Sequence, residues 1–464
     1  MWEEMRWNPI PGFEPSHAAP LSQAQVELLE FIARNPEGLR RDTFAPVGVR
    51  DEFMRYDPQV WPVFLGAARR RELERAAVAV GRLIRSLPRR VFHNDPDLMR
   101  DFYRIPAELA ARISLLIDTT DILDTALSRG DFLDTPAGLK CMEVNMCSNL
   151  GGWAIPTWLP RFLSVPLLRR FLDESGVRFS FHNPLRLMFE HVAGAARDLA
   201  DGGELDLAFL LPGEETPTER WRDWFQEEYR TALAALGLQG SVFACFADDL
   251  TESGGALRVR GRRVHLLLET MLGYIPPPAV RAVLAGTVRV FNGPVTRVLN
   301  DKLNLALLSE YAGSDLFTAE ERLTTEAYVP WTRRVAAEFV DWEGKRFYLP
   351  DLLARQRERL VLKLGDSLAG VDVHIGRFVS AGRWAEVMET ALAQGTWVVQ
   401  EYLEPAPYLF QTSESGAAPH DLVWGLFAYG DTYGGTFLRM LPHGSHGVIN
   451  AAQGAAPAIT LDVE

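Results

Sequence analysis

Two acids, an arginine and an amide alternate with apolar residues in "SRGDFLDTPAGLKCMEVNMCSNLGGW", which runs from Ser128 to Trp153, and such a set could hold a metal ion. Phe132, Met142, Val144 and Met146 share one parity, while Arg129, Asp131, Glu143 and Asn145 share the other, so two short strands with one polar face are predicted. Thr, Pro and Gly between Asp134 and Gly138 are turn formers that fold these strands into a hairpin. Centred on Ala137, the hairpin sets Asp131 opposite Glu143 and Arg129 opposite Asn145, about 4.5 to 5.5 Å apart. Like charges directly opposite cost stability. Two readings follow: a divalent cation, Mg²⁺ or Mn²⁺, held by two carboxylates and an amide, or a solvated polar face on which Arg129 neutralises the acids.

Other segments could handle phosphate or a base. "LVLKLGDSLAGVDVHIG", from Leu360 to Gly376, ends an apolar strand in Lys363 and follows it with Gly365 and Gly370, whose missing side chains let backbone N–H groups approach phosphate oxygens. It has neither Walker nor dinucleotide glycine spacing, and Lys363 could equally reach out to solvent. "TWVVQEYLEP" ends a strand in Gln400 and Glu401, able to offer backbone groups to an adenine edge and a carboxylate to a ribose, although most such strands are simply core. Lys302 opens a helix and is either a phosphate contact or a surface lysine. Arg439 lies on a strand where Gly434 and Gly435 permit close backbone approach, and it could contact phosphate or pair with a carboxylate. Asn450 is best read as a turn amide.

The elements that must position these residues are those of a large soluble globular chain. Its 464 residues are 47% hydrophobic and 23% charged, enough for two or three domains. A net charge of -13 argues against broad binding to nucleic acid or an anionic membrane. Cys141, Cys147 and Cys245 show no zinc or disulfide spacing, and Cys147 is better read as a buried hydrophobe than as a nucleophile, since no histidine lies nearby. A reducing, cytoplasmic setting fits, because "MWEEMRWNPIPGFEP" lacks the pattern of a signal peptide and no segment is long and apolar enough to span a bilayer.

Along the chain an irregular arm of about twenty residues precedes helices at "QAQVELLEFIARN", "GAARRRELERAAVAVGRLIRSL" and "IPAELAARISLLIDTTDILDTAL", the last continuing to the hairpin. "LDLAFLL", a helix and "GSVFACF" make a β-α-β unit. "ALRVRGRRVHLLLE" reads as a strand pair about Arg260 and Gly261, and "GTVRVFNGP" as a further strand. "VDWEGKRFYL" reads as a hairpin, and "LVWGLFAYG" and "YGGTFLRML" as an antiparallel pair.

In this order the pieces resemble the circularly permuted ATP-grasp superfamily, including the synthetase part of glutathionylspermidine synthases. That family carries Arg-x-Asp, eleven residues, then Glu-x-Asn, as do Arg129, Asp131, Glu143 and Asn145. An Asn-x-x-x-lysine region near Lys302, the loop "KLGDSLAGVDV", the hinge strand "VVQEYLEP" and "AYVPWTRRV" also look like family sequence, over roughly residues 100 to 455. The resemblance implies an α/β (α+β) chain with a circularly permuted ATP-grasp fold. Its parts would be a helical N-terminal region (1–100), a permuted part with the metal hairpin (101–202), a Rossmann-like pre-ATP-grasp unit (203–300) and the nucleotide-binding lobes (301–464).

It also implies that Asp131, Glu143 and Asn145 hold Mg²⁺ on the phosphates of ATP, that Lys302 and Lys363 contact phosphate oxygens, and that Arg129 stabilises developing charge. The expected activity is a carboxylate-amine ligase working through an acyl phosphate on a small-molecule or peptide acid and amine, with a homodimer left open. The same residues would serve an ATP-dependent phosphotransferase without amide formation, and a noncatalytic nucleotide or peptide binder is the third reading. "CSNLGGW" would border the acceptor site, with Trp153 as a contact. Two departures stand out: Leu364, Ala369 and Asp372 occupy positions where the family often has proline or glycine, and the amidase half is absent. Asp372 would repel phosphate unless it points away or binds metal.

Overall fold

A computed structural model describes residues 21–118, 123–213, 217–271, 273–367, 370, 372–412, 416–445 and 448–464. The N-terminal arm, the stretch before the hairpin at 119–122, and Ala369 therefore lie outside the described residues.

The largest sheet is antiparallel and runs in the order Ala456–Ala458, Thr432–Pro442, Gly416–Tyr429, Leu127–Thr135, Gly138–Asn145, with Tyr408–Thr412 added against the start of Gly416–Tyr429. Its period of two gives each face a distinct character. Phe132, Leu422, Trp424, Leu426, Leu438 and Met440 enter the core, which they share with Leu73, Ala76, Val80, Leu83 and Leu87 of the helix Ala67–Phe92. Arg69 of that helix donates to both oxygens of Asp134, at 2.6 and 2.7 Å, and Trp424 Nε1 donates to Oδ2 at 2.7 Å. The long helix is thus fastened to the sheet that bears the hairpin. It ends where His93 turns left-handed, at φ 55°.

A smaller antiparallel sheet, Thr332–Arg334, Trp397–Glu401, Leu360–Leu364 and Val373–Ile375, has its own core of Leu349, Leu352, Leu362, Trp384 and Val399. The helix Ala381–Gln394 covers it, started by Ser380 and stopped at the left-handed Gly395. The hairpin predicted at "VDWEGKRFYL" forms as Phe339–Trp342 and Lys345–Tyr348, turning at Glu343 and Gly344, both at positive φ.

A third sheet is wholly parallel: Arg289–Phe291, Leu266–Glu269, Leu207–Leu210 and Val242–Cys245, with the helix Glu219–Ala235 in the β-α-β crossover. Here one expectation needs correction. Ala256–Val259 does pair with Arg262–Arg263, in a small meander with Leu250–Ser253, but Leu266–Glu269 leaves that meander and joins the parallel sheet. Leu266, Leu267 and Leu268 are buried, as a strand covered on both faces requires. Val63–Gly66 pairs in parallel with Thr460–Val463, joining distant parts of the chain. No helix among the described residues is long and apolar enough to cross a membrane.

Candidate active site

The hairpin turns on Pro136 and Ala137, with Thr135 opposite Gly138. Continued without interruption, that register would put Asp131 opposite Met142. A bulge between Asp131 and Phe132 on the pairing path takes up one residue, so Asp131 faces Glu143 and Arg129 faces Asn145. The predicted pairs form, but by a device not foreseen. Met142, which shares the parity of Phe132 and Val144 in the sequence, lines the cleft beside Glu143.

The two acids meet different cations. Asp131, only 4% exposed, receives Arg129 Nε at 3.1 Å on Oδ1 and Nη2 at 3.4 Å on Oδ2, while Arg439 Nη2 lies 2.7 Å from Oδ1. Burial alone would raise the Asp131 carboxyl, but the two guanidiniums outweigh it and hold it below the ordinary carboxylate range. Glu143 is partly open, with Lys302 Nζ 3.5 Å from Oε2 and Asn145 Nδ2 3.3 Å from Oε1. Lys363 Nζ crosses from the small sheet to donate to Met142 O at 3.2 Å, and it also donates to Gln400 Oε1 of its own sheet at 2.6 Å. Burial, reinforced by Lys302, lowers the Lys363 ammonium to about 8 although Glu143 opposes the shift.

These contacts close one part of a cleft of about 340 Å³ between the two antiparallel sheets. Alternation explains its walls. Leu360, Leu362 and Val399 face the small core, so Val361, Lys363 and Gln400 face the cleft, joined by Val373 and Ile375. Leu133, Val423 and Leu441 face it from the large sheet, with Val448 and Ile449 beyond them. Further along, Arg377 lies 3.9 Å from the centre of the Tyr402 ring, and His443 Nδ1 is 2.7 Å from Asp421 Oδ1. Apolar walls converging on a few charged groups are the usual composition of a small-molecule site.

Among the sequence-predicted residues, Asp131, Glu143, Lys363, Gly370, Gln400, Glu401, Arg439 and Asn450 line the cleft. Arg129, Asn145, Lys302 and Gly365 do not. Arg129 is buried behind Asp131, and its Nη1 donates to Gly151 O at 2.8 Å. Gly365 is required for a different reason from the one expected. Its N–H already donates to Thr396 O at 2.9 Å, and a Cβ there would come within 2.3 Å of Asp301 Oδ1. Glu401 Oε1 accepts from Trp331 N at 2.9 Å, and Asn450 Oδ1 accepts from Ala452 N at 2.9 Å, the turn role foreseen for it. Neither Asp372 nor Trp153 is among the lining residues, and Trp153 is buried in a core cluster. Burial raises the Cys147 thiol, which removes the thiolate a nucleophile needs.

Sequence reasoning missed Val361, Val373, Ile375 and the Asp421–His443 pair. The first three share the parity of Lys363 along their strands, a signal that was there to be used.

Among the described residues no cluster of three His, Cys, Asp or Glu side chains is placed to hold a metal ion. Mg²⁺ rarely needs one, since it takes one or two carboxylates and fills its shell with phosphate oxygens and water. Glu143, partly open and facing the cleft, fits that use, whereas both oxygens of Asp131 are engaged by arginines. For phosphate the fit is direct. Arg439 is 2% exposed and its Nε has no partner, and four cations, Arg129, Arg439, Lys302 and Lys363, attend two carboxylates.

No protein-family model matches the chain, and no curated protein matches it in sequence. The solved structure of a glutathione synthetase-like effector from Globodera pallida, in its apo form, aligns over 95% of this chain and 98% of its own, with a TM-score of 0.54 and 11% identity. The two proteins share a fold. A candidate gamma-glutamylcysteine synthetase from Methylobacillus flagellatus KT aligns over 82% of this chain and 86% of its own, with a TM-score of 0.40 and 12% identity, too distant to argue from.

Proposed function

We propose that the chain is an ATP- and Mg²⁺-dependent carboxylate-amine ligase with a circularly permuted ATP-grasp fold. The observation that carries this reading is the surplus of buried cation around Asp131 and Glu143 in a cleft with apolar walls. Such a surplus suits a polyphosphate, and Val361, Val373, Ile375, Leu133 and Leu441 suit a base held between two sheets. The spacing of Arg129, Asp131, Glu143 and Asn145 supports it independently.

In this reading a substrate carboxylate oxygen takes the terminal phosphoryl group with release of ADP, and an amine then displaces phosphate from the acyl carbon to leave an amide. Lys363 and Arg439 would contact phosphate oxygens, with Lys302 behind Glu143. Arg129 would keep Asp131 ionised and hold the Gly151 loop. Glu143, open to the cleft, would hold Mg²⁺, which supplies charge neutralisation on the phosphates, and Asp131 could join it only on giving up one of its arginine contacts. Chemistry of this kind draws on positioning and fixed charge more than on a protein nucleophile, in keeping with the raised thiols of Cys141 and Cys147.

The engagement of Asp131 by two arginines favours a second reading, a noncatalytic nucleotide binder. Calorimetry of ATP with and without Mg²⁺, on the wild type and on an Asp131→Asn, Glu143→Gln double variant, tests the site. Metal-dependent binding lost in the variant upholds it, and no binding by a folded wild type refutes it. Amine-dependent ADP release then distinguishes the ligase from both the binder and a phosphotransferase.

A further inference from the structure

The parallel sheet carries a buried carboxyl group that the nucleotide cleft does not use. From its first strand, Leu207–Leu210, the chain moves to one side for Val242–Cys245 and then to the other for Leu266–Glu269. Open parallel sheets hold ligands at such a reversal, beyond the carboxyl ends of the two strands that flank it. Glu269 is the last residue of its strand at this point and is 2% exposed. Its Oε2 accepts from Gly273 N at 2.8 Å, while Oε1 has no hydrogen-bond partner.

Burial lifts this carboxyl to about 8, against the backbone N–H groups of Gly273 and Met271 and the pull of Arg297. Neither protonation state satisfies the group: ionised, Oε1 is an acceptor without a donor, and protonated, it is a donor without an acceptor. A buried polar atom left unpaired destabilises the folded chain, and the fold receives nothing for it.

We propose that Glu269 binds the acceptor amine as its ammonium ion, in a subsite at the switch point of the parallel sheet, and takes up the proton this nitrogen must lose before its lone pair can attack the acyl carbon. This rests on the ligase reading. The cation is favoured because the Gly273 N–H already supports the ionised form, and a ligand ammonium would supply both the missing donor and the missing charge. Arg297 does not fill that role, because its guanidinium is committed in bidentate fashion to Asp366, in the loop after Lys363. The surroundings tie this subsite to the phosphate end. Ser148 Oγ donates to Phe291 O at the end of the neighbouring strand, at 3.5 Å, and the same Cys147–Gly151 loop is held at Gly151 by Arg129, the residue that donates to Asp131.

The test reads Glu269 directly. Infrared difference spectra of the full chain are recorded near neutral pH on adding n-propylammonium, 1,3-diaminopropane or glycine amide, with propionate as the anionic control. At least one amine is expected to discharge the protonated-carboxyl stretch in the wild type, and none in Glu269→Gln. Glu269→Met serves as a second variant, and both should fold with unchanged ATP affinity. In ADP-release assays over a panel of primary amines, Glu269→Gln should raise KM for the amine about 10- to 100-fold, as loss of a charge-assisted hydrogen bond implies. An unchanged carboxyl band with all three amines, an identical change in Glu269→Gln, or a response to propionate alone would overturn the assignment. Failure of the ligase reading looks different: no amine elicits ADP release from the wild type, whatever the carboxyl band does.

Discussion

Lys363 offers the sharpest test of the nucleotide cleft, because its charge state is set by what the cleft holds. Burial is the main cause of its lowered value of about 8, Lys302 adds to it, and Glu143 opposes both. A polyphosphate beside the ammonium would reverse the balance and return it toward the ordinary lysine value of about 10.4. Near pH 8.5 the free side chain would be about one-quarter protonated and the bound one almost fully so, an uptake of about 0.7 proton per nucleotide. Near neutral pH the same shift gives only about 0.1 proton. Calorimetry in two buffers of different ionisation enthalpy measures this uptake directly. Lys363→Arg should bind nucleotide with no linked proton, since a guanidinium does not titrate in this range, whereas Lys363→Met should weaken binding by roughly 10- to 100-fold. Nucleotide binding by the wild type near pH 8.5 without proton uptake would refute the placement of phosphate beside Lys363.

Three further outcomes concern the frame around the site. Arg69→Ala leaves Asp134 buried with only neutral donors from Trp424 and Tyr408, and should cost about 3–5 kcal/mol in denaturant unfolding. Gly365→Ala pushes a methyl group against Asp301 and Thr396, so a loss of about 1–3 kcal/mol is expected together with weaker nucleotide binding. Burial raises the Asp301 carboxyl to about 7, so between about pH 4 and 7 the folded chain holds a proton that the unfolded chain has released. Stability should therefore fall as pH rises through that window, by at most about 4 kcal/mol. Asp301→Asn should flatten this part of the melting-temperature profile, leaving a residual fall up to about pH 8 from Glu269, and an unchanged profile would contradict the burial assigned to Asp301.

Local patterns were legible where one face of a strand is core and the other is not. The parity of Phe132 and Val144 against Asp131 and Glu143 was enough to put the two acids on one face. The bulge at Met142 was not legible, because it depends on what lies above the hairpin: Lys363 from another sheet bonds to the Met142 carbonyl. The same limit hid the fate of Leu266–Glu269. Its apolar run follows directly on a meander in sequence, and only burial between two layers, set by helices elsewhere in the chain, separates a continuation from a new strand. Gly365 was visible as a glycine but not as a point of contact with Asp301, since closeness of that kind comes from tertiary assembly. Lys302 and Lys363 were each ambiguous alone, and they gained meaning from the charge of Glu143 that both feel.

The pairing of Val63–Gly66 with Thr460–Val463 has a consequence for how the protein is made. Val63 lies beside Thr460, so the earlier strand must wait for roughly 400 further residues, about 20 to 80 seconds of synthesis at ordinary ribosomal rates. The hairpin strand Leu127–Thr135 waits roughly three-quarters as long for Gly416–Tyr429. During that interval both present open edges, the kind of surface that invites pairing with other chains. A nascent chain of this protein is therefore an aggregation hazard for most of its synthesis, and a client that a chaperone must hold until the closing strands arrive.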